Sequence, residues 1–330
     1  MAQKAPGKAH REGISLIELF QMFPNNHVAQ EWLEEQRWGG EPWCPHCGSF
    51  NVRHNNHKSM PWRCAERECR KRFSVRSGTP MQGSPLGYQI WVTAIYLLTT
   101  SLKGQSSMKL HRDLKITQKT AWFLAHRIRK TFDDNDGEDG GFSGPVEADE
   151  TYMGGKRANM SNAQRKALVD AGVGRGAVGK IAVAGVKDRQ TKQVRAKVVE
   201  RTDKPTLQGF VTEHTAPGAT VYTDDASAYE GLPFDHETVK HSLSEYVKGD
   251  AHTNGIESLW SMLKRAHKGI YHKMSPKHLD RYVQEFAGRH NIRDKDTLAQ
   301  MGEVVRGFEG KSLTYVELKQ PNGLPSGARA

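Results

Sequence analysis

The sequence predicts a multidomain α+β protein, and three observations carry that prediction. All four cysteines fall between Cys44 and Cys69. Apolar residues recur with helical spacing from Tyr88 to Lys130. From Pro145 the texture changes to short strands interleaved with helices, the pattern of a mixed sheet with flanking helices. A chain of 330 residues has room for two or three cores. The expected layout is an arm with short helices over 1–38, a cysteine-bound ribbon over 39–80 and a helix-turn-helix-like unit over 84–132. An acidic, glycine-rich linker over 133–144 then leads to a mixed-sheet domain over 145–310 and a tail over 311–330.

Composition narrows the partners. A formal net charge of +11 favours a polyanion, nucleic acid before any other. There is no run of 18 apolar residues, and Met1 to Arg11 lacks the apolar core of a signal peptide. The expectation is a soluble, cytoplasmic protein without a membrane partner.

Taken in order, Leu16, Leu19, Phe20 and Phe23 carry helical spacing up to Pro24, and a second short helix follows over about 28–37 before Gly39-Gly40. Cys44-Pro-His-Cys47-Gly48 and Cys64-Ala-Glu-Arg-Glu-Cys69 are two close cysteine pairs, sixteen residues apart. Four thiolates on two turns make a tetrahedral cage suited to structural Zn²⁺, with Gly48 permitting the tight turn. The second pair has four residues between its cysteines, a looser knuckle than the usual two. His46, His54 and His57 are then surface residues, because the thiolates already complete the shell. Arg70, Lys71 and Arg72 give this unit a basic flank for a phosphate backbone.

Tyr88 to Leu102 reads as a buried helix, 104–114 as a second, and Thr117 as the N-cap of a third over 118–130. In that third helix Ala121, Leu124, Ala125 and Ile128 point inward, while Gln118, Lys119, His126, Arg129 and Lys130 point outward. This is the outline of a DNA-binding helix-turn-helix.

Beyond the linker, Val146 to Tyr152 is a strand with Glu147 and Asp149 on one face. Met153 to Gly179 is a polar, basic, mobile excursion. Residues 181–186 and 194–199 form a hairpin, 204–214 a helix and 219–225 a strand ending in Asp224 and Asp225. Val239 begins one more short strand. Helices follow over about 254–268 and 276–291. In the first of these, Ile256, Leu259, Trp260 and Leu263 form the apolar stripe, and Asn254, Glu257, Ser261 and Lys264 another. Asp149, Asp224 and Glu257, meeting without histidine or thiol partners, would suit hard divalent ions such as Mg²⁺ or Mn²⁺.

The chain resembles the bacterial DDE-type insertion-sequence transposases, and more narrowly insertion-sequence family fifteen-ninety-five. Members of that family join an N-terminal zinc ribbon to an RNase H-like catalytic domain. The likeness spans roughly residues 15–300. It is carried by the two cysteine motifs with Arg70-Lys-Arg-Phe73, by Val146-Glu-Ala-Asp149-Glu150-Thr-Tyr152, and by Val221-Tyr-Thr-Asp224. His252-Thr-Asn254-Gly-Ile-Glu257-Ser-Leu-Trp260-Ser-Met-Leu-Lys264-Arg265 and the stretch from His278 to Asn291 complete it.

The resemblance implies that the first catalytic acid is Asp149 and the second Asp224. Family members differ at the third position, which leaves Asn254 and Glu257 as candidates. Glu257 is preferred, because an ionised carboxylate is the stronger Mg²⁺ ligand and Lys264 follows two turns later. Glu147, Glu150 and Asp225 are neighbouring alternatives to the aspartates. It further implies metal-dependent cleavage at insertion-sequence ends and strand transfer into target DNA. Lys264 and Arg265 would lie on DNA phosphate, and the protein would assemble as a homo-oligomer on terminal inverted repeats at the nucleoid. The rival reading is a zinc-ribbon DNA-binding protein, either a regulator or a catalytically silent transposase.

Overall fold

Ser15 opens the first helix, α1 (Leu16–Met22), through a capping box in which its hydroxyl accepts from Glu18 N–H and Glu18 accepts from Ser15 N–H. Asn25 caps α2 (Asn26–Trp38), and Gly39 ends it in the left-handed region at φ 58°. The computed structural model describes residues 11–133, 140–154, 160–170, 180–239 and 253–324. The chain divides into two units: residues 1–133 with 292–320, and residues 134–291 with 321–330.

In the first unit, β1 (Val52–His54), β2 (Trp62–Cys64) and β3 (Arg72–Phe73) form an antiparallel sheet in sequence order. α3 (Tyr88–Thr100), α4 (Ser107–Leu114) and α5 (Gln118–Arg129) follow, α4 starting three residues later than the sequence implied. α10 (Thr297–Arg306) and α11 (Tyr315–Lys319) complete the unit from the far end of the chain. One apolar core runs through Leu33, Phe73, Trp91, Val304 and Phe308. The blocks expected separately at 1–38, 39–80 and 84–132 thus share a core, and 292–310, expected with the mixed-sheet domain, packs here. Trp91 and Phe308 meet edge-to-face with centroids 6.1 Å apart.

In the second unit the sheet order is β6-β5-β4-β7-β8. β4 (Val146–Met153), β5 (Ile181–Asp188) and β6 (Val194–Val199) are antiparallel neighbours. β7 (Thr220–Asp224) and β8 (Asp235–Val239) run parallel to β4. Val239 therefore ends the last strand, where the sequence placed its start. The excursion after β4, expected to be mobile throughout, contains α6 (Asn162–Asp170). Residues 155–159 and 171–179 of it lie outside the described residues.

Each face of the sheet is covered. α7 (Lys204–His214) closes one with Phe210 and Val211 over Val146, Ala148 and Val221. α8 (Asn254–Ala266) and α9 (Pro276–Asn291) close the other, with Ile256, Trp260, Leu263, Tyr282 and Phe286 around Val183 and Ala196. α9 also finishes the β6 edge. Asp280 accepts from Val198 N–H, Gln284 donates to Ala196 O, and Asn291 both donates to Val194 O and accepts from its N–H. An edge strand's spare backbone groups are thus spent on side chains of the same unit.

Candidate active site

The alternation of β4 decides which carboxylates meet. Glu147 and Asp149 lie on the α8 face, opposite Lys187 and Gly185 in the β5 register. On the other side β4 pairs with β7 through Val146↔Val221 and Glu147↔Tyr222. Continued by two residues, that register sets Asp149 level with Asp224. α8 then lays Glu257 and Lys264 along the same opening. The result is a cleft of about 560 Å³ lined by Asp149, Glu150, Asp224, Glu257, Lys264 and Lys268, with Trp260, Ser261 and Arg265 beside them. Four carboxylates, two from β4 and one each from β7 and α8, thus share one opening with three cations. Asn254 is exposed at the start of α8 and outside that lining. His252 of the same motif lies outside the described residues.

Electrostatics mark the cleft. Burial, with Glu150, Asp224 and Glu257 adding negative charge, pushes the Asp149 carboxyl up to about 7. Burial also raises Glu150, partly opposed by the hydrogen bond from the Tyr229 hydroxyl at 2.8 Å. Like charges brought together in this way are relieved by a proton or by a cation.

Glu147, weighed in the sequence as an alternative ligand, has another task. It is 2% exposed, accepts from Arg189 Nε at 3.0 Å and from Ile256 N–H at 2.9 Å, and so anchors the first turn of α8 onto β4. Its place two residues before Asp149, on the same face of β4, made it an alternative ligand in the sequence. Only the fold reveals Arg189, one residue past the end of the neighbouring strand β5. Gly255 leaves space for it, since a Cβ there would stand 2.5 Å from Glu147 Oε2. Asp225 is exposed and outside the cleft lining. The residue that sequence reasoning missed is Trp260. Assigned to the apolar stripe, it is buried there, yet its indole N–H donates to Asp149 Oδ2 at 3.0 Å. The signal was present in Gly185, because a glycine inside a strand marks close approach of another group.

The four cysteines meet as their spacing predicts. Their sulfurs lie within 4.8 Å of one another, with Cys44–Cys69 at 3.7 Å and Cys47–Cys64 at 3.6 Å. A disulfide would need about 2.05 Å, whereas a tetrahedron of Zn–S bonds near 2.3 Å has edges of about 3.8 Å. The thiols fit zinc. Gly48 follows the first pair at φ 75°, and Arg70 takes the same left-handed conformation after the second at φ 48°. The longer second loop therefore still ends in an equivalent turn, Glu66 O accepting from both Cys69 N–H and Arg70 N–H. Arg70, Lys71 and Arg72 are exposed beside it.

The helical unit obeys its predicted turn. Thr117 caps α5 by accepting from Thr120 N–H, and Lys115 turns the chain at φ 51°. Gln118 and Lys119 are exposed, and Lys130 is half-buried. His126 and Arg129, expected outward, are buried at 0% and 2% exposure. The reason is that the second half of α5 is covered on more than one side. Arg127 donates to Leu313 O, and Phe123 packs against Tyr315.

Residues 141–291 match the family described as the ISXO2-like transposase domain. The chain is 26% identical over 286 residues to an uncharacterized protein in transposable element ISH50 of Halobacterium salinarum, covering 82% of this chain and 92% of that protein. Among solved structures it is similar to a chain in the cryo-EM structure of a simian T-cell lymphotropic virus intasome in complex with PP2A regulatory subunit B56 gamma. That likeness has 15% identity and a TM-score of 0.28, covering 60% of this chain and 65% of the other, so this chain spans just under two thirds of that neighbour's length. Over residues 141–291 the chain is thus similar to the ISXO2-like transposase domain, and over most of its length to a protein of a transposable element.

Proposed function

We propose that the protein is a DDE-type transposase that cuts DNA at the ends of its insertion sequence and joins the freed 3′-hydroxyl to target DNA. The carrying observation is the shared cleft, to which β4 contributes Asp149 and Glu150, β7 Asp224 and α8 Glu257. The sheet order, with three antiparallel strands followed by two parallel to the first, supports an RNase H-like reading of this unit. Asp149, Asp224 and Glu257 would hold divalent cations, Mg²⁺ or Mn²⁺, and the donor set of hard oxygens fits them. When bound, such a pair activates the attacking oxygen and stabilises the leaving one.

The protein's own residues do the rest. Lys264, exposed at the cleft and two turns beyond Glu257, places a cation where a DNA phosphate would enter, with Arg265 and Lys268 extending the contact. In the first step water attacks phosphorus and the 3′ oxygen leaves as a hydroxyl. In the second that hydroxyl attacks a target phosphodiester and a target 3′ oxygen leaves. The bonds made and broken are the same in kind, so no covalent enzyme intermediate is required.

The zinc ribbon, the helix-turn-helix of α4 and α5, and the basic flank at Arg70, Lys71 and Arg72 would position the terminal inverted repeats. Gln118 and Lys119 are the exposed candidates for base and phosphate contacts at the start of α5. Such a protein acts on paired ends as a homo-oligomer, in the cytoplasm at the nucleoid. Labelled end DNA incubated with Mg²⁺ tests the proposal. Wild type should release a 3′-hydroxyl end, and Asp224→Ala should bind the same DNA without cutting it. Bound but uncut DNA with both proteins would leave a DNA-binding regulator or a silent transposase instead.

A further inference from the structure

We propose that Trp260 is a positioning residue for Asp149, orienting the carboxylate through its indole N–H so that the acid is presented to the cation in one fixed plane. The inference rests on the metal-dependent reading above and deepens it.

Three independent features converge on this bond. First, the indole Nε1 donates to Asp149 Oδ2 at 3.0 Å. Second, the ring is 3% exposed and packed among Val183, Ile256 and Leu263, so it cannot swing away without opening the core. Third, β5 is bare where the ring lies. Gly185 is the direct partner of Asp149 across the β4–β5 ladder, and a Cβ there would stand 2.6 Å from both Cη2 and Cζ2 of Trp260. No side chain larger than hydrogen fits at that point.

The choice of donor has a chemical logic. An indole N–H can only donate, so the bond is made to an acceptor oxygen and holds it. Arginine or lysine would hold the same oxygen while adding a positive charge that competes with the cation. Tryptophan orients without that competition. The bond also sets the position of the helix, because Glu257 lies one turn before Trp260 and Lys264 one turn after. Anchoring Trp260 on Asp149 thereby fixes two further cleft residues relative to the first acid.

The test uses the full-length protein with β-(3-benzothienyl)alanine at position 260, which keeps the shape of tryptophan and replaces N–H by sulfur. Trp260→Phe and Asp149→Asn run beside it. Mn²⁺ binding is measured by electron paramagnetic resonance of the free ion, and cleavage is titrated with Mn²⁺. Loss of such outer donors weakens metal binding by about 10–100-fold. The isostere should bind Mn²⁺ more weakly by a factor in that range and recover cleavage at high Mn²⁺. The isostere should still bind end DNA and unfold cooperatively, at a modestly lower temperature for the lost hydrogen bond, and Trp260→Phe should weaken Mn²⁺ binding in the same direction. Wild-type Mn²⁺ affinity in the isostere, with affinity lost in Asp149→Asn, would overturn the role of Trp260 and leave the metal reading intact. Unchanged Mn²⁺ affinity in Asp149→Asn would overturn both.

Discussion

At Asp149 the local environment has a consequence for stability. Its carboxyl is pushed from the usual 3.8 up to about 7. A group whose pKa rises on folding binds its proton more tightly in the folded chain. Stability is therefore fully present below about pH 4 and declines as the pH climbs through 7, by at most about 4 kcal/mol. A divalent cation would replace the proton. The melting temperature of cation-free protein should fall between pH 5 and pH 8, with Mg²⁺ stabilising far more at pH 8. Asp149→Asn should flatten the profile, and a wild-type profile in that variant would assign the pH dependence elsewhere. Much of this was legible in the sequence. Period-two alternation put Glu147 and Asp149 on one face, and Asp224 stood at a strand end. What the sequence could not give was the division of labour between Glu147 and Asp149, which depends on Arg189 and the α8 backbone.

At the scale of the element, α8 is held to β4 at two points two residues apart, Glu147 under its first turn and Asp149 against Trp260. Glu147 is buried with a guanidinium, so removing it takes a buried carboxylate from Arg189 and frees the helix start. Glu147→Ala should cost about 3–5 kcal/mol in denaturant unfolding. It should also loosen α8 as read by hydrogen exchange at residues 254–258. A loss under 1 kcal/mol would mean that α8 is seated by its apolar stripe alone. Elements with a clear apolar period were readable: α3, α8, α9 and the β5–β6 hairpin fall close to where the pattern places them. β8 was misplaced because Asp235-His-Glu-Thr-Val has no apolar alternation, and its order comes from the ladder with β7. His126 and Arg129 were misassigned for a related reason. A two-faced helix rule fails where packing wraps more than half the circumference.

For the whole molecule, two units imply two separable responses. Elemental analysis should find one zinc per chain, held by Cys44, Cys47, Cys64 and Cys69. Chelation should lower the unfolding transition of the first unit and leave that of the second in place. A single transition that moves as one would show that the two units melt together. The four-cysteine centre was readable because its ligands are close in sequence. The destination of α10 was not, because an amphipathic stripe announces a need for cover without naming what supplies it. That destination has a genetic corollary. The polypeptide departs from the first unit at residue 133 and comes home at 292, so the acid-bearing domain is an insert within another domain's sequence. A stop codon just past Asn291 would spare every residue of the acid-lined cleft while stripping Phe308 from beside Trp91. Decay of such a gene from its 3′ end would therefore strike the four-cysteine unit first and leave the acid-lined cleft complete.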